Sequence, residues 1–413
     1  MANRRPLNKV LGPGILFAAT AIGVSHLVQS TTAGALYGFS MLTFIIAANV
    51  FKFPFFEFGA RYASATGKTL IHGYKEMHVF WLYAYMVVTV ISTFFVTGTV
   101  GIVTIGFMEN LFHLNVLLNF PYATHLALFG SCLLLLGLGG FSGLEKLIKL
   151  FGVVLVIGTC VAFSAALFQG PQTNESLLPD LGENGWLYLI PLMGWMPTAV
   201  DLSAWSSIWT VEKIKQSGYH PTVKESVREF SVGYWISAFL AILFVTMGAM
   251  MVYGSGREVP TSGVEFSGFV IELYTTSIGR WSFYFIAAAA FSIMFSTFIT
   301  VLDGYTRALR TSFSVAIGKQ ENQGKGIGVI FVIAAGSLGL ILLFQQLGDF
   351  RLMVNAATTI SFLIAPLVAI LNFRLVMADK VGRENAPNGF MKFLSFCGIA
   401  FLIAFSFWFI TTL

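Results

Sequence analysis

Charged residues are scarce in this sequence. They make up only 10% of its 413 residues, while 56% are hydrophobic; soluble domains average about a quarter charged residues. This composition excludes an ordinary soluble domain and predicts an all-α integral membrane protein. The net charge of +5 gives no reason to expect a nucleic-acid partner, because the basic residues fall in short segments between apolar runs.

Cysteine is scarce as well. Cys132, Cys160 and Cys397 all lie within apolar segments. Their spacing fits neither a metal site nor a disulfide framework, so we interpret them as small core residues. The sequence also lacks a Ser-His-Asp constellation, paired carboxylates and a phosphate-binding glycine loop, which predicts that the protein is not an enzyme and carries no cofactor.

Long apolar runs are what the sequence has instead. Eleven stretches are long enough to cross about 30 Å of hydrocarbon; they cover residues 12–38, 42–63, 81–107, 124–142, 145–168, 186–210, 230–253, 281–306, 326–347, 352–377 and 389–412. We expect a single transmembrane domain, 1–413. The basic start of the chain has no small-residue cleavage site behind it, which favours a retained first helix over a signal peptide.

The distribution of positive charge predicts the orientation. With the N-terminus in the cytoplasm, 20 of the 24 Lys and Arg residues face inward and three face outward, while Lys52 lies inside the second span. The positive-inside rule therefore predicts an inner (plasma) membrane protein with a cytoplasmic N-terminus and an outside C-terminus. The acidic stretch 169–185 becomes an outer loop, and 211–230 becomes a charged inner connector.

Two of the eleven stretches are interrupted by polar and helix-breaking residues. The first contains "GVSH" (23–26), and the sixth contains "PLMGWMPTAVDLS" (191–203). Interruptions at matching positions of two five-helix halves indicate an inverted-repeat transporter with its solute near the membrane midplane. We predict repeats at about 12–168 and 186–377, followed by an extra helix at about 389–412.

Several segments are similar to the Nramp (natural resistance-associated macrophage protein) divalent-metal transporters. The first helix of that family begins GPG, has Asp-Pro-Gly-Asn eight residues later and AGA six residues after that; here these positions are 12–14, 23–26 and 33–35. The segments "ARYASATGKTLIHGYKE" (60–76), "GLEKLIKLFGVVLVI" (143–157) and "GWMPTAVDLSAWS" (194–206) resemble the family's helices 2, 5 and 6. The resemblance implies a LeuT-like fold, with two inverted five-helix repeats, broken helices 1 and 6, and one extra helix.

The residues that bind metal in that family are not retained. Its metal-binding Asp falls on Gly23 and its Asn on His26, while the helix 6 Met falls on Met196. The family's Ala three residues earlier falls on Met193, and the His after the Met-Pro pair becomes Thr198. The acidic pair that serves a proton route on helix 3 is missing. The resemblance therefore implies a fold and a site position, with the Asp-Pro-Gly-Asn motif absent.

Without that carboxylate, the site favours a small organic solute. A dication in a low dielectric needs a carboxylate beside soft ligands such as Met196 and His26. The opened helix ends offer backbone N–H groups that favour a carboxylate-bearing or amino-acid-like solute, Gly23 permits close approach, and Met193, Trp195 and Met196 form an apolar wall. Two alternatives stay open: a proton-coupled divalent-metal transporter that uses His26 and Met196, and a non-transporting, receptor-like membrane protein.

The polar residues at the breaks each have two interpretations. His26 is either a neutral histidine bonded to a freed backbone carbonyl, or a ligand or proton-coupling group. Ser25 and Thr198 either satisfy backbone groups or contact the solute, and Trp195 either packs or lines the site. The predicted partners are a small-molecule or ion substrate, the lipid bilayer and a coupled proton.

A few charges lie within the spans, where each costs roughly 2.5–3.5 kcal/mol at a helix centre unless it is paired. Lys52 and Glu57, five residues apart, do not share a helix face. Asp201, just below the second break, is the expected partner of Lys52, in a static ion pair or in one that serves coupling. Asp303 and Arg307 fit an i,i+4 pair at the inner end of the eighth span, either structural or part of an inner gate.

Overall fold

The computed structural model describes residues 12–138, 141–318 and 326–412, where helices are the only regular secondary structure. Five residues of the charge count above lie outside this part: Arg4, Arg5 and Lys9 near the N-terminus, and Lys319 and Lys325. The α-helices are α1 Pro13–Ala21, α2 Thr31–Tyr37, α3 Leu42–Thr66, α4 Leu70–Met77, α5 Val79–Phe112, α6 Leu114–Leu117, α7 Ala123–Leu138, α8 Phe141–Gln169, α9 Gly182–Gly194, α10 Ser203–Ser217, α11 Val223–Met251, α12 Gly263–Ile278, α13 Phe283–Ile317, α14 Ile327–Gln346, α15 Phe350–Val376 and α16 Gly389–Thr412.

Seven helices in the described part of the chain are long and apolar enough to cross a bilayer: α3, α5, α11, α13, α14, α15 and α16. The helix α1 and the segment Ser25–Tyr37 pass the same test together, with a bend of 43° between them. The apolar segments Ala123–Gly137 and Val153–Gln169 are shorter, and the sixth predicted span is divided between α9 and α10. The all-helical membrane architecture is confirmed, and the number eleven stays a prediction.

Three details differ from the sequence prediction. The inner connector shrinks to residues 218–222, because α10 continues to Ser217 and Thr222 starts α11 with a capping box. The helix α12 was not predicted, since its 16 residues are too few for a span. Cys160 is exposed rather than a core residue, whereas Cys132 is buried as expected.

The helix α11 packs along the whole of the first span. A Cβ atom on Gly233 would stand 2.1 Å from the Gly14 carbonyl oxygen, and one on Gly248 would stand 2.3 Å from that of Thr31. Glycine therefore permits backbone contact at both ends of the span. The carboxylate of Glu229 completes the inner end by accepting from the N–H of Gly14 at 2.9 Å, where it also faces the positive end of the α1 dipole.

Candidate functional site

The two predicted breaks are confirmed, and they touch each other. The π-helical turn Ser25–Ser30 joins α1 to α2, and its side chains reach the second break. Ser25 Oγ lies 3.1 Å from the carbonyl oxygen of Pro197. Ser30 Oγ lies 3.9 Å from the sulfur of Met196. A solute held between the breaks would therefore contact both halves of the protein.

The second break lies between α9 and α10. Residues 195–199 are non-helical, with a cis peptide bond between Met196 and Pro197, and a 3-10 turn follows at Val200–Leu202. Gly194 brings this segment against α15, since a Cβ atom there would stand 2.0 Å from the Thr358 carbonyl oxygen. The indole of Trp195 donates to Ser361 Oγ of α15 at 2.8 Å. Trp195 therefore packs the break against α15.

All residues predicted to contact the solute are buried; they are Gly23, Ser25, His26, Met193, Trp195, Met196 and Thr198. The most exposed side chain among those with a measured exposure is that of Thr198, at 8%. The side chains at both breaks are therefore closed to solvent in this conformation.

His26 is a bridge between the first break and α11. Its Nε2 lies 2.8 Å from the backbone carbonyl of Ser237, and its Nδ1 lies 2.8 Å from Ser25 Oγ. A carbonyl oxygen only accepts, so Nε2 carries a hydrogen. The single hydrogen of the Ser25 hydroxyl is shared among Nδ1 and the carbonyl oxygens of Ala21, at 2.9 Å, and Pro197. Both ring nitrogens lie within hydrogen-bond distance of a neighbour, and the side chain is fully buried. This geometry supports the interpretation of His26 as a structural histidine.

Gly23 faces α13 rather than an open cavity. A Cβ atom on Gly23 would stand 3.0 Å from the methyl group and 3.2 Å from the hydroxyl of Thr297. Both distances are tighter than an ordinary contact. An aspartate at this position would therefore need Thr297 to move.

The ammonium group of Lys52 is fully buried and lies at the C-terminal end of α9. Its Nζ donates to the backbone carbonyls of Met193 at 3.0 Å, Gly194 at 2.9 Å and Thr198 at 3.1 Å. Three donors meet three acceptors, so every ammonium hydrogen is used. The prediction of a contact ion pair between Lys52 and Asp201 is wrong, because the lysine binds these backbone carbonyls instead. The carbonyls become available only where the helix unwinds, which no sequence pattern reveals.

Asp201 is nearly as buried as Lys52, at 2% exposure, and its Oδ1 has no hydrogen-bond partner in the described structure. Ser92 of α5 lies beside this carboxyl group and beside the hydroxyl of Tyr305 on α13. Neither hydroxyl has a partner of acceptable geometry either. Lys52 is close enough to act on Asp201 through space. A buried carboxyl oxygen left without a hydrogen bond is costly, which marks Asp201 as a functional candidate.

The remaining predicted charges lie away from the breaks. Glu57 pairs with Arg61, at 2.5 Å between Oε1 and Nη2, and Arg61 also donates to the backbone of Asn385 at 2.6 Å. The predicted separation of Glu57 from Lys52 is thereby confirmed. Asp303 and Arg307 form the predicted i,i+4 pair, at 2.6 Å, with both side chains partly exposed.

A polar cluster above the breaks was not predicted as part of the site. The amide nitrogen of Gln29 lies 3.3 Å from the Asn355 side-chain oxygen and 3.4 Å from Thr358 Oγ1, both on α15. The hydroxyl of Tyr188 on α9 donates to the Gln29 side-chain oxygen. Gln29 belongs to the polar run of the first span, which was the available signal, but its partners lie more than 150 residues away.

Metal ligands are sparse in this region. Within the described residues, no group of three or more His, Cys, Asp or Glu side chains is placed to hold a metal ion. The site offers backbone groups, hydroxyls, a thioether and an indole instead.

Comparison with known proteins gives a consistent family match. A family model described as natural resistance-associated macrophage protein-like (Nramp) matches residues 14–412. An uncharacterised protein of Pasteurella multocida is 33% identical over 405 residues, which cover 97% of this chain and 91% of that protein.

Solved structures match over almost the whole chain. A manganese transporter from Eremococcus coleocola has a TM-score of 0.69 at 14% identity, with 97% of this chain and 85% of that chain covered. MhsT in complex with L-phenylalanine has a TM-score of 0.62 at 14% identity, with 95% and 98% covered. At such identities the likeness shows the fold, which is the LeuT-like fold of membrane transporters.

Proposed function

The chain belongs to the Nramp-like family of membrane transporters, and on that premise we propose that it moves a small organic solute with a carboxylate group, bound between the breaks at 23–30 and 194–202. We place it in the inner (plasma) membrane, with a cytoplasmic N-terminus and an outside C-terminus. Its repeats, at about 12–168 and 186–377, would alternate access around this site, followed by the extra helix at about 389–412.

The position of Lys52 is the observation that carries this proposal. Its ammonium group already takes the carbonyls of Met193, Gly194 and Thr198, so these oxygens are not free to bind a metal ion. A dication beside this ammonium would also face like-charge repulsion in a low dielectric. A solute carboxylate, in contrast, would be attracted by the ammonium group of Lys52.

The helix starts at the two breaks also favour an anionic solute. At the start of the π-helical turn, the N–H of Ser25 has no backbone acceptor in the described structure, whereas those of His26 and Leu27 bind the Gly23 carbonyl. Such helix starts favour an anionic group. Met196, buried at the contact between the two breaks, adds apolar surface for the remainder of a solute.

A divalent metal ion is the second candidate. It is favoured by Met196, whose sulfur lies at the contact between the two breaks, and by the manganese transporter among the similar structures. His26 would have to give up its bond to Ser25 or to Ser237 to act as a ligand. A receptor-like protein that binds solute without transporting it is the third candidate.

A ligand survey on the purified protein tests the proposal. Thermal unfolding is recorded in potassium salts with L-alanine, L-phenylalanine, L-glutamate, acetate or succinate, and in parallel with Mn²⁺, Fe²⁺, Zn²⁺ or Mg²⁺. A ligand at 100 times its Kd adds about 2.7 kcal/mol to the free energy of unfolding. We expect stabilisation by at least one carboxylate compound and none by the corresponding amide, which lacks the carboxylate. Stabilisation by divalent metals alone would overturn the proposal.

A further inference from the structure

The start of α9 and the end of α16 form the two walls of a groove of about 620 Å³, a volume typical of ligand sites. Each helix contributes side chains spaced along one of its faces: Glu183, Trp186 and Leu187 from α9, and Phe405, Trp408 and Thr412 from α16. The stripe on α16 begins at Ala404 and extends about 12 Å along the helix axis. In the proposed orientation this outer groove reaches from the outer membrane surface into the hydrocarbon.

Aromatic rings line much of the outer groove. The rings of Trp186 and Trp408 meet edge to face, with centroids 6.2 Å apart, and the ring of Phe405 lies 6.3 Å from that of Trp408. Tryptophan is common at membrane interfaces, where one end of its ring meets lipid tails and the other meets headgroups. Within the described residues, neither of these two indole N–H groups donates to an acceptor. The groove therefore combines two unused donors with apolar surface.

A carboxylate borders the same groove. Glu183 is exposed in the first turn of α9, and no basic side chain in the part of the chain that the structure describes pairs with it. A carboxylate next to aromatic rings attracts an ammonium group, because the carboxylate and the ring faces both carry negative potential. A ligand with only anionic groups would be repelled. The chemistry of the groove therefore suits a ligand that has an ammonium group, acceptor oxygens and an apolar chain.

We propose that the outer groove binds a phospholipid with an ethanolamine headgroup. The ammonium group of the lipid donates to the carboxylate of Glu183, and its phosphate or ester oxygens accept from the indoles of Trp186 and Trp408. One acyl chain lies along Leu187 and Phe405. The bound lipid contacts both α9, the outer half of the broken sixth span, and α16, the extra helix. This inference goes beyond the proposed function, because it does not depend on which solute is carried.

The dependence of stability on lipid headgroup provides the test. The full chain is purified in detergent and stripped of lipid, and its thermal unfolding is followed as dioleoyl phosphatidylethanolamine is added. Phosphatidylglycerol and phosphatidylcholine with the same acyl chains are the comparisons; the first lacks an ammonium group, and the second has no N–H to donate to a carboxylate. We expect a saturable rise in unfolding temperature with the ethanolamine lipid. Its half-saturating concentration should be about tenfold lower than that of either other lipid.

Two variants probe the headgroup contacts. Glu183→Gln removes the charge but keeps an acceptor, and should raise the half-saturating concentration of the ethanolamine lipid about tenfold. Trp408→Phe keeps a ring but removes the N–H, and should raise it about threefold. The matched controls lie outside the groove: Glu265→Gln, at another exposed carboxylate in the first turn of a helix, and Trp281→Phe, at a tryptophan that is 71% exposed. Both controls should keep the wild-type dependence on lipid.

Three results would overturn the inference. One is an ethanolamine lipid that stabilises the wild type no more effectively than either of the other lipids. Another is an unchanged dependence on the ethanolamine lipid in Glu183→Gln. The third is an unfolding temperature that rises with protein concentration instead of lipid concentration, which would assign the groove to a second copy of this chain.

Discussion

Gly233 lies directly against Gly14, so closely that a Cβ atom on Gly233 would stand 2.1 Å from the Gly14 carbonyl oxygen. The contact joins α11 to the inner half of the first span. With the bridge from His26 to Ser237, it makes α11 the support on which the broken span rests.

Gly233→Ala should therefore lower the free energy of unfolding by about 1–3 kcal/mol, because the two helices must separate to admit a methyl group. Thermal unfolding in detergent measures the effect. Gly130→Ala is the control, since a Cβ atom there meets nothing within 4 Å and alanine favours a helix. Equal stability of the two variants would contradict the close contact.

Replacement of His26 distinguishes its two interpretations. His26→Ala removes a fully buried ring with two hydrogen bonds, so the free energy of unfolding should fall by about 2–4 kcal/mol. Solute affinity, measured on the folded fraction by calorimetry, should change much less. A large loss of affinity at unchanged stability would instead make His26 a ligand.

Met196 separates the organic solute from the metal alternative. Met196→Leu conserves volume, which usually costs less than about 1.5 kcal/mol, but it removes the thioether. An organic solute should keep its affinity to within about tenfold. Loss of Mn²⁺ binding in this variant, where the wild type binds it, would favour the metal transporter.

Lys52→Met should be poorly tolerated, because it leaves the carbonyls of Met193, Gly194 and Thr198 without their donor. Loss of one partner of a buried charged interaction costs about 3–5 kcal/mol. Since the lysine binds backbone rather than the Asp201 side chain, adding Asp201→Leu should not restore stability. Full rescue in this double variant, measured by thermal unfolding, would show that the ion pair dominates.

Asp201→Asn should leave stability unchanged or raise it, because the charge that it removes has no hydrogen-bond partner at Oδ1. Transport in proteoliposomes should fall more than solute binding does if Asp201 serves coupling. Asp303→Asn is the control: it breaks a partly exposed pair with Arg307 and should cost at most about 1 kcal/mol. Full transport by Asp201→Asn would make the residue structural.

The sequence was sufficient for the position of both breaks and for the helical membrane fold. Polar residues and glycine within an apolar run locate a break because they are costly in a lipid-facing helix. The i,i+4 pair of Asp303 and Arg307 was also predictable, since it depends on local spacing alone.

The partners of the buried groups were not predictable in the same way. Lys52 binds carbonyls that become available only when α9 ends at Gly194, and Thr297 meets the end of α1 from 275 or more residues away. Such contacts depend on helix packing and on where each helix unwinds. Residue type identifies a buried charge, but it does not identify a backbone group as its partner.

Lys52 is a residue of α3, so its bonds to the end of α9 link these two helices mechanically. A dissociable ion follows mass action and leaves when its concentration falls, whereas this ammonium group cannot be diluted, chelated or exchanged. Three hydrogen bonds converge on one nitrogen, so α9 cannot move away from α3 gradually; it must carry α3 along or break all three bonds together. The second break is therefore fastened to a spanning helix whatever the ionic composition of the medium.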